Sequence, residues 1–303
     1  MQVIYGLKQV RKFRKPVVAL GVFDGVHSGH RKILKSAVAF ARRIKGSSVV
    51  LTFWPHPQKK ESLYSLEHRL RLIGEQGVDV CIVVDFNKRF ASIPAGDFVK
   101  DILFAKINAR YVYVGKNFRF GKNATGDFKI LNKLSKACNF KLKTFEVITK
   151  NNLPISSTHI RELIKKGDLG NAEKLLSHPV SILGTVIKGS SLGSRLGFPT
   201  ANINPHHEVI PPDGVYAVKV IFDNKEFGGA CYIGWRPTFR QWKIYSGLRA
   251  QRSIEVHIFN FNKNIYGKYL EIRFIKKIRE EKKFVNPSFL AAQIKKDLLN
   301  IQK

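Results

Sequence analysis

The first half of the chain alternates short apolar runs with longer stretches whose apolar residues recur at helical spacing. Residues 16–23, "PVVALGVF", form a nearly unbroken apolar run that predicts a buried strand. Residues 29–44 then place Ile33, Leu34, Ala37, Val38 and Ala41 on one face, as an amphipathic helix requires. The same grammar repeats. "SSVVLTFW" (47–54) predicts a strand stopped by Pro55 and Pro57, and residues 65–77 predict a helix that ends near Gly77. Residues 78–86 predict a strand, 95–108 a helix, 109–116 a strand, 126–139 a helix and 140–148 a strand. Helices over 156–168 and 170–177 close the series. Such alternation means βαβ units on a doubly wound parallel sheet, which binds ligands at the carboxyl ends of its strands. Asp24–His30, Pro55–Pro57 and Gly115–Gly121 each follow a strand, so all three are expected on one rim.

After His178 and Pro179 the pattern changes. Residues 181–189, 198–204, 214–222, 227–234, 253–261 and 269–278 are short apolar or alternating segments between turn signals. They predict an antiparallel all-β unit, a barrel. A last helix is expected over 287–302, with Pro287 at its first helical position. The expected domains are 1–180 and 181–303, a division that suits a chain of 303 residues.

Composition narrows the class. A 44% hydrophobic, 11% aromatic chain can bury ordinary cores. No apolar stretch reaches membrane-spanning length, and the first residues make a poor signal peptide. Cys81, Cys138 and Cys231 are odd in number and far apart, which argues against a disulfide framework or zinc cluster and fits a reducing cytoplasm. The formal net charge of +31 suggests nucleic acid at first sight. Yet Lys and Arg number 18, 17 and 18 over residues 1–100, 101–200 and 201–303. So even a spread reads as a generally basic surface, attractive to anions such as ATP, with no specific nucleic-acid partner.

The chemistry concentrates first in "GVFDGVHSGH", Gly21 to His30. A loop entering a helix offers free backbone N–H groups and a positive dipole end, and so suits a phosphate. His27 and His30 sit one turn apart there, where two imidazoles can donate to a phosphoryl group in a transition state. A pair of capping histidines is the plainer alternative. No cysteine or carboxylate cluster joins them at ligand spacing, which disfavours a metal.

These residues resemble the H-x-G-H signature of the nucleotidyltransferase superfamily, in the form found in prokaryotic bifunctional riboflavin kinase/FAD synthetases. "TFWPHP" (Thr52–Pro57), "VGKNFRFG" (Val114–Gly121) and "PISSTHIRELI" (Pro154–Ile164) are similar to further motifs of that family, in the same order. "GTVIKGSSLGSRLGFPTAN" (Gly184–Asn202) is neither a Walker A loop nor a dinucleotide fingerprint, and resembles the riboflavin kinase signature. The resemblance extends from about residue 16 to residue 300.

It implies two reactions. A C-terminal kinase would phosphorylate riboflavin to FMN, and an N-terminal adenylyltransferase would convert FMN to FAD and pyrophosphate, each with ATP and Mg²⁺. In the N-terminal domain Gly21, Phe23, Asp24, His27, Gly29 and His30 would contact ATP, with His27 and His30 catalytic. Ser157, Thr158 and Arg161 would hold its β and γ phosphates, although Ser156–Thr158 could also be a plain helix cap. His56 and Asn117 would line the flavin side. In the C-terminal domain Gly189, Gly193, Gly197, Phe198 and Pro199 would cover ATP. Thr200 and Asn202 would hold the metal; two residues apart on an extended segment, they face one side with oxygen donors that suit Mg²⁺. Glu255 would be the general base, on a strand where it alternates with Ile254 and Val256. His257 is expected to be its structural neighbour, and Arg279 to lie near the flavin. Departures from the family are Asn260 in place of a usual Asp, Arg195 one place late, and a long basic connection over 238–253. The alternatives are a chain retaining one of the two activities, or a basic nucleic-acid-binding protein.

Overall fold

The structure is a computed structural model and describes residues 1–58, 61–150, 153–189, 192–235 and 252–302. It divides into two compact units, Met1–His159 and Ile160–Lys303.

The first unit is built on a parallel sheet. Its strands are β1 (Gln2–Tyr5), β2 (Val17–Leu20), β3 (Ser48–Trp54), β4 (Val80–Asp85), β5 (Tyr111–Gly115) and β6 (Lys141–Phe145). The order across the sheet is β1-β4-β3-β2-β5-β6. The chain winds outward from β2 in both directions, through β3 and β4 on one side and β5 and β6 on the other. The gap between the β2 and β5 exits is therefore a topological switch point, where such sheets open a crevice. Helices α1 (Ser28–Arg43) and α2 (Leu66–Gly74) and the short α3 (Lys88–Ala91) and α4 (Ala95–Asp97) connect the strands, and α5 (Phe128–Ala137) follows β5.

The local reasons are legible. All four residues of β2 are buried, because neighbours cover both faces of a central parallel strand. Helix α1 buries Ile33, Leu34, Ala37, Val38 and Ala41, the stripe its sequence spacing predicts. Burial of Ile33, Leu34 and Val38 contributes about 2 kcal/mol each. Asp127 caps α5 by accepting from the Lys129 and Ile130 N–H groups at 2.9 and 3.0 Å.

Three features differ from the sequence expectation. β1 has no clear pattern of its own; it exists because Gln2–Tyr5 pair with Val80–Val83 across the sheet. The helix expected over 95–108 leaves α geometry after Asp97 and continues as a π-helix, Phe98–Lys106, which buries Phe98, Val99, Ile102 and Leu103. Two short strands, β7 (Thr149–Lys150) and β8 (Leu153–Pro154), pair antiparallel before α6 (Ser157–Lys166).

The boundary between the units falls within α6. The second unit continues through α7 (Leu169–Leu176) into a closed barrel. Its strands are β9 (Ser181–Ile187), β10 (Ala201–Asn204), β11 (Gly214–Phe222), β12 (Lys225–Trp235), β13 (Arg252–Ile258) and β14 (Tyr269–Arg279). They close in the order β10-β13-β12-β11-β14-β9, with every pairing antiparallel. Closure removes the sheet edges that an open antiparallel sheet would expose. The strand expected over 198–204 is pleated only from Ala201, because Gly193–Pro199 form a turn of α8 (Leu192–Arg195) and its exit loop. Helix α9 (Pro287–Gln302) ends the described chain, with Asn286 Oδ1 accepting from the Phe289 N–H at 3.0 Å. The three cysteines are free and buried.

Candidate active sites

In the first unit the site grows from the exit of β2. Phe23 has φ +54°, Gly25 +78° and Val26 +41°, so two bulky residues hold a left-handed backbone that costs each of them roughly 1–3 kcal/mol. Hydrogen bonds from Leu63, Thr52, Arg69 and Ser157 hold the turn in that shape. Both carboxylate oxygens of the buried Asp24 accept from the Leu63 N–H, at 2.9 and 3.1 Å. The Val22 carbonyl accepts from Thr52 Oγ1 at 2.9 Å and from Arg69 Nη1 at 2.6 Å. The Asp24 carbonyl accepts from Ser157 Oγ at 2.9 Å.

That turn sets the histidines. His27 caps α1, its Nδ1 accepting from the His30 N–H at 3.4 Å. The two imidazoles stack at 3.6 Å between centroids and 19° between planes, and Phe23 meets His30 edge-on at 5.3 Å. Gly29 lies against this pair: a Cβ there would stand 3.2 Å from His27 Cε1. His30 Nδ1 is sealed from solvent without a hydrogen-bond partner among the described residues. Burial first, then His27 and Arg69, holds the His30 pKa well below its ordinary value, so the ring is neutral near pH 7.

The other expected residues of this unit divide. His56 follows β3, is partly buried, and accepts from the Gln58 N–H through Nδ1 at 3.2 Å. Asn117 follows β5 and is exposed, with its Oδ1 folded back toward Gly115. Parallel pairing of β2 with β3 and with β5 puts these turns on one rim. In α6, Ser156 is the cap, accepting from the His159 N–H at 3.2 Å, and Ser157 reaches back to Asp24. Thr158 is exposed, and Arg161 is buried one turn further on. Gly21 packs against the Phe23 ring. Asp24, expected at ATP, here braces the turn through Leu63.

The structure adds Arg69, which sequence reasoning passed over. It sits on α2 with 0% exposure, its guanidinium under Val22 and Phe53 and 5.2 Å from the Trp54 ring. In sequence it looked like one more basic residue on an amphipathic helix. Only its burial sets it apart.

In the barrel, register assembles the second site. Asn202 on β10 stands directly opposite Glu255 on β13, which stands opposite Tyr232 on β12. Thr200 donates from Oγ1 to Glu255 Oε2 at 3.4 Å. The alternation expected for this strand is present: Ile254, Val256 and Ile258 are buried inward, while Glu255 and His257 are partly exposed on the other face. His257 Nδ1 lies 2.8 Å from the Pro199 carbonyl and so pins the segment that carries Thr200. The glycine loop wraps this cluster closely. A Cβ on Gly189 would overlap the Asn202 side-chain amide, and one on Gly193 would stand 2.5 Å from the Phe198 carbonyl. Gly197 turns the loop at φ +86°, and the Phe198 N–H returns to the Gly193 carbonyl at 2.8 Å.

Arg279 stands apart from this cluster in its contacts. Its guanidinium binds the buried Asp297 of α9, with Nε at 2.9 and 3.1 Å and Nη2 at 2.8 Å, and Nη1 donates to the Glu280 carbonyl. It fastens the last helix to the barrel. Of the 238–253 connection, only Arg252 and Ser253 fall within the described residues, and Arg252 pairs with Asp213 at 2.6 Å. No cluster of three or more His, Cys, Asp or Glu suited to a metal occurs among the described residues. The oxygens of Thr200 and Asn202 are compatible with a hard cation that keeps water and phosphate ligands.

Comparison with known proteins covers both units. The FAD synthetase family profile matches residues 9–159 and the riboflavin kinase profile residues 176–303. A bifunctional riboflavin kinase/FMN adenylyltransferase from Buchnera aphidicola subsp. Schizaphis graminum is 35% identical, over 100% of this chain and 98% of its own length. The enzymes of that name from Escherichia coli K12 and Bacillus subtilis 168 are 35% and 36% identical, over 95% and 93% of this chain and 92% and 90% of their own lengths. A crystal structure described as a macrolide-efflux protein from Streptococcus pneumoniae aligns with a TM-score of 0.83 at 28% identity, over 100% of this chain and 99% of that one. Among the described residues, no helix is long and apolar enough to cross a membrane. With two profile matches in succession and full-length relatives above 30% identity, the chain belongs to the bifunctional riboflavin kinase/FMN adenylyltransferase family.

Proposed function

We propose a division of labour within this two-step flavin transferase: residues 181–303 make FMN and residues 1–180 make FAD. The observation that carries it is that each unit gathers its own polar cluster, His27 with His30 in one and Thr200, Asn202 and Glu255 in the other.

In the barrel, Glu255 accepts the proton of the riboflavin 5′-hydroxyl as its oxygen attacks the γ phosphorus of ATP. The bond from that phosphorus to the β-bridging oxygen breaks, and ADP leaves. Thr200 and Asn202 would hold Mg²⁺ against the ATP phosphates, and Gly189, Gly193, Gly197, Phe198 and Pro199 would cover ATP. Bound Mg²⁺ would offset phosphate charge as the transfer proceeds. The Gly189 cradle, which a Cβ would fill, supports this role by keeping the Asn202 amide in place.

In the first unit, an FMN phosphate oxygen attacks the α phosphorus of a second ATP, and the bond to the α–β bridging oxygen breaks to release pyrophosphate. His27 and His30 donate to the phosphoryl oxygens where charge develops. A neutral His30 suits that task, because its imidazole keeps one N–H to donate. Ser157, Thr158 and Arg161 take the leaving pyrophosphate, and His56 and Asn117 stand on the flavin side. The high basic charge draws anionic substrates to the surface rather than a specific nucleic acid. Free, buried cysteines support a cytoplasmic setting.

The test is separation of the two steps in the purified protein, with flavins resolved by chromatography. Glu255→Gln should stop riboflavin phosphorylation and leave FMN-to-FAD conversion largely intact. His30→Ala should do the reverse. Loss of both steps in either folded variant contradicts two independent sites.

A further inference from the structure

Arg69 is the largest fully buried side chain among the described residues. Its Nη1 donates to the Val22 carbonyl at 2.6 Å and approaches the Phe53 carbonyl at 3.4 Å, while Nε and Nη2 have no hydrogen-bond partner among the described residues. Removing a guanidinium from water is costly, and burial indeed pulls its pKa down despite the opposing pull of Asp24. A Leu or Met would pack α2 without that cost. The guanidinium is therefore explained by what it touches.

Those contacts lie at the exits of β2 and β3, where the two rim turns of the site begin. Val22 precedes the left-handed Phe23 and the His27–His30 pair; Phe53 precedes Trp54 and His56. Thr52 Oγ1 donates to the same Val22 carbonyl, so both of that oxygen's acceptor positions are taken from beneath. Among the described residues, the charged groups that bear on His30 are His27 from its own turn and Arg69 from α2, Asp24 bears on Arg69, and Phe23 covers one edge of the His30 ring.

We infer that Arg69 is a positioning residue for adenylyl transfer, a buried fork that joins the β2 and β3 turns and fixes the His30 ring from below. It rests on the reading of His27 and His30 as the adenylyl-transfer site, and extends it to a residue that touches no substrate. Its positive charge beside His30 also helps keep that imidazole neutral, by simple repulsion of a second cation.

Arg69→Lys and Arg69→Met in the full-length protein test this, with both flavin steps assayed and the histidines titrated by NMR. Arg69→Met should lower kcat for FMN adenylylation about 10- to 100-fold, as expected for displaced catalytic groups. Riboflavin phosphorylation should stay near wild type, and the His30 titration should move upward. Arg69→Lys keeps the charge without the fork. It should leave the His30 titration near wild type and still lower kcat. Wild-type kcat in either variant overturns the inference, and Arg69→Lys decides it should Arg69→Met not fold. Wild-type FAD formation by His30→Ala would instead remove the reading of the site on which it rests.

Discussion

The Ser157 hydroxyl donates to the backbone carbonyl of Asp24 across 133 positions of sequence, at 2.9 Å. One hydrogen bond thus ties the start of α6 to the turn that sets His27 and His30. It joins two motifs that the sequence holds apart, and it works through backbone geometry rather than through charge.

Ser157→Ala removes that tie. A neutral hydrogen bond contributes about 0.5–1.5 kcal/mol, so the KM for ATP in FAD formation should rise roughly 3- to 10-fold. Steady-state assays of both steps check this, with riboflavin phosphorylation expected at the wild-type rate.

Gly189→Ala places a methyl into the Asn202 amide, and Asn202 has little room to yield because it is paired with Glu255 on one side and Ile187 on the other. FMN formation should fall by about two orders of magnitude, the scale of an ångström-level displacement. Gly170→Ala is the control, since a Cβ there meets nothing within 4 Å. An active Gly189→Ala enzyme would show that Asn202 need not hold its place.

Asp297→Ala leaves Arg279 without its carboxylate partner, and with it the anchor of α9. Breaking a largely buried pair in this way costs about 3 kcal/mol. The barrel's calorimetric transition should move down by several degrees, while that of the first unit stays in place. An unchanged transition would mean that α9 is held by apolar contact alone.

His30 makes the first unit sensitive to acid. Its folded pKa lies below the ordinary histidine value of about 6.5, so below that pH the unfolded chain takes up a proton that the folded one refuses. Stability contributed by this group is complete above about pH 6.5 and declines as pH falls toward the folded pKa, by at most about 1.4 kcal/mol per pH unit. His30→Gln should flatten the pH dependence of the unfolding midpoint between pH 7 and 5. Equal slopes for wild type and variant would mean that the ring is not held neutral in the fold.

Much of the architecture is written in local pattern. Alternating apolar runs and amphipathic stretches suffice for a parallel sheet followed by a barrel, because a strand and a helix bury different periodicities. Glu255 shows the same logic at a single position, where alternation with Ile254 and Val256 places it on the opposite face. β1 was not legible, since its reason for forming is β4, some eighty residues later. The π-helical stretch over Phe98–Lys106 was equally hidden, because α and π turns bury nearly the same apolar residues.

The sites show the same division. Residue type and spacing, read beside the family resemblance, were enough to nominate His27, His30, Thr200, Asn202 and Glu255. What those residues do to one another was decided by tertiary structure alone. Asp24 became a brace for Leu63, Arg279 an anchor for Asp297, and Arg69 a buried fork beneath Val22. Nothing local separates these charges from solvated ones of the same type. Burial and long-range hydrogen bonds decide what a charged residue does, and both come from parts of the chain that meet only after folding.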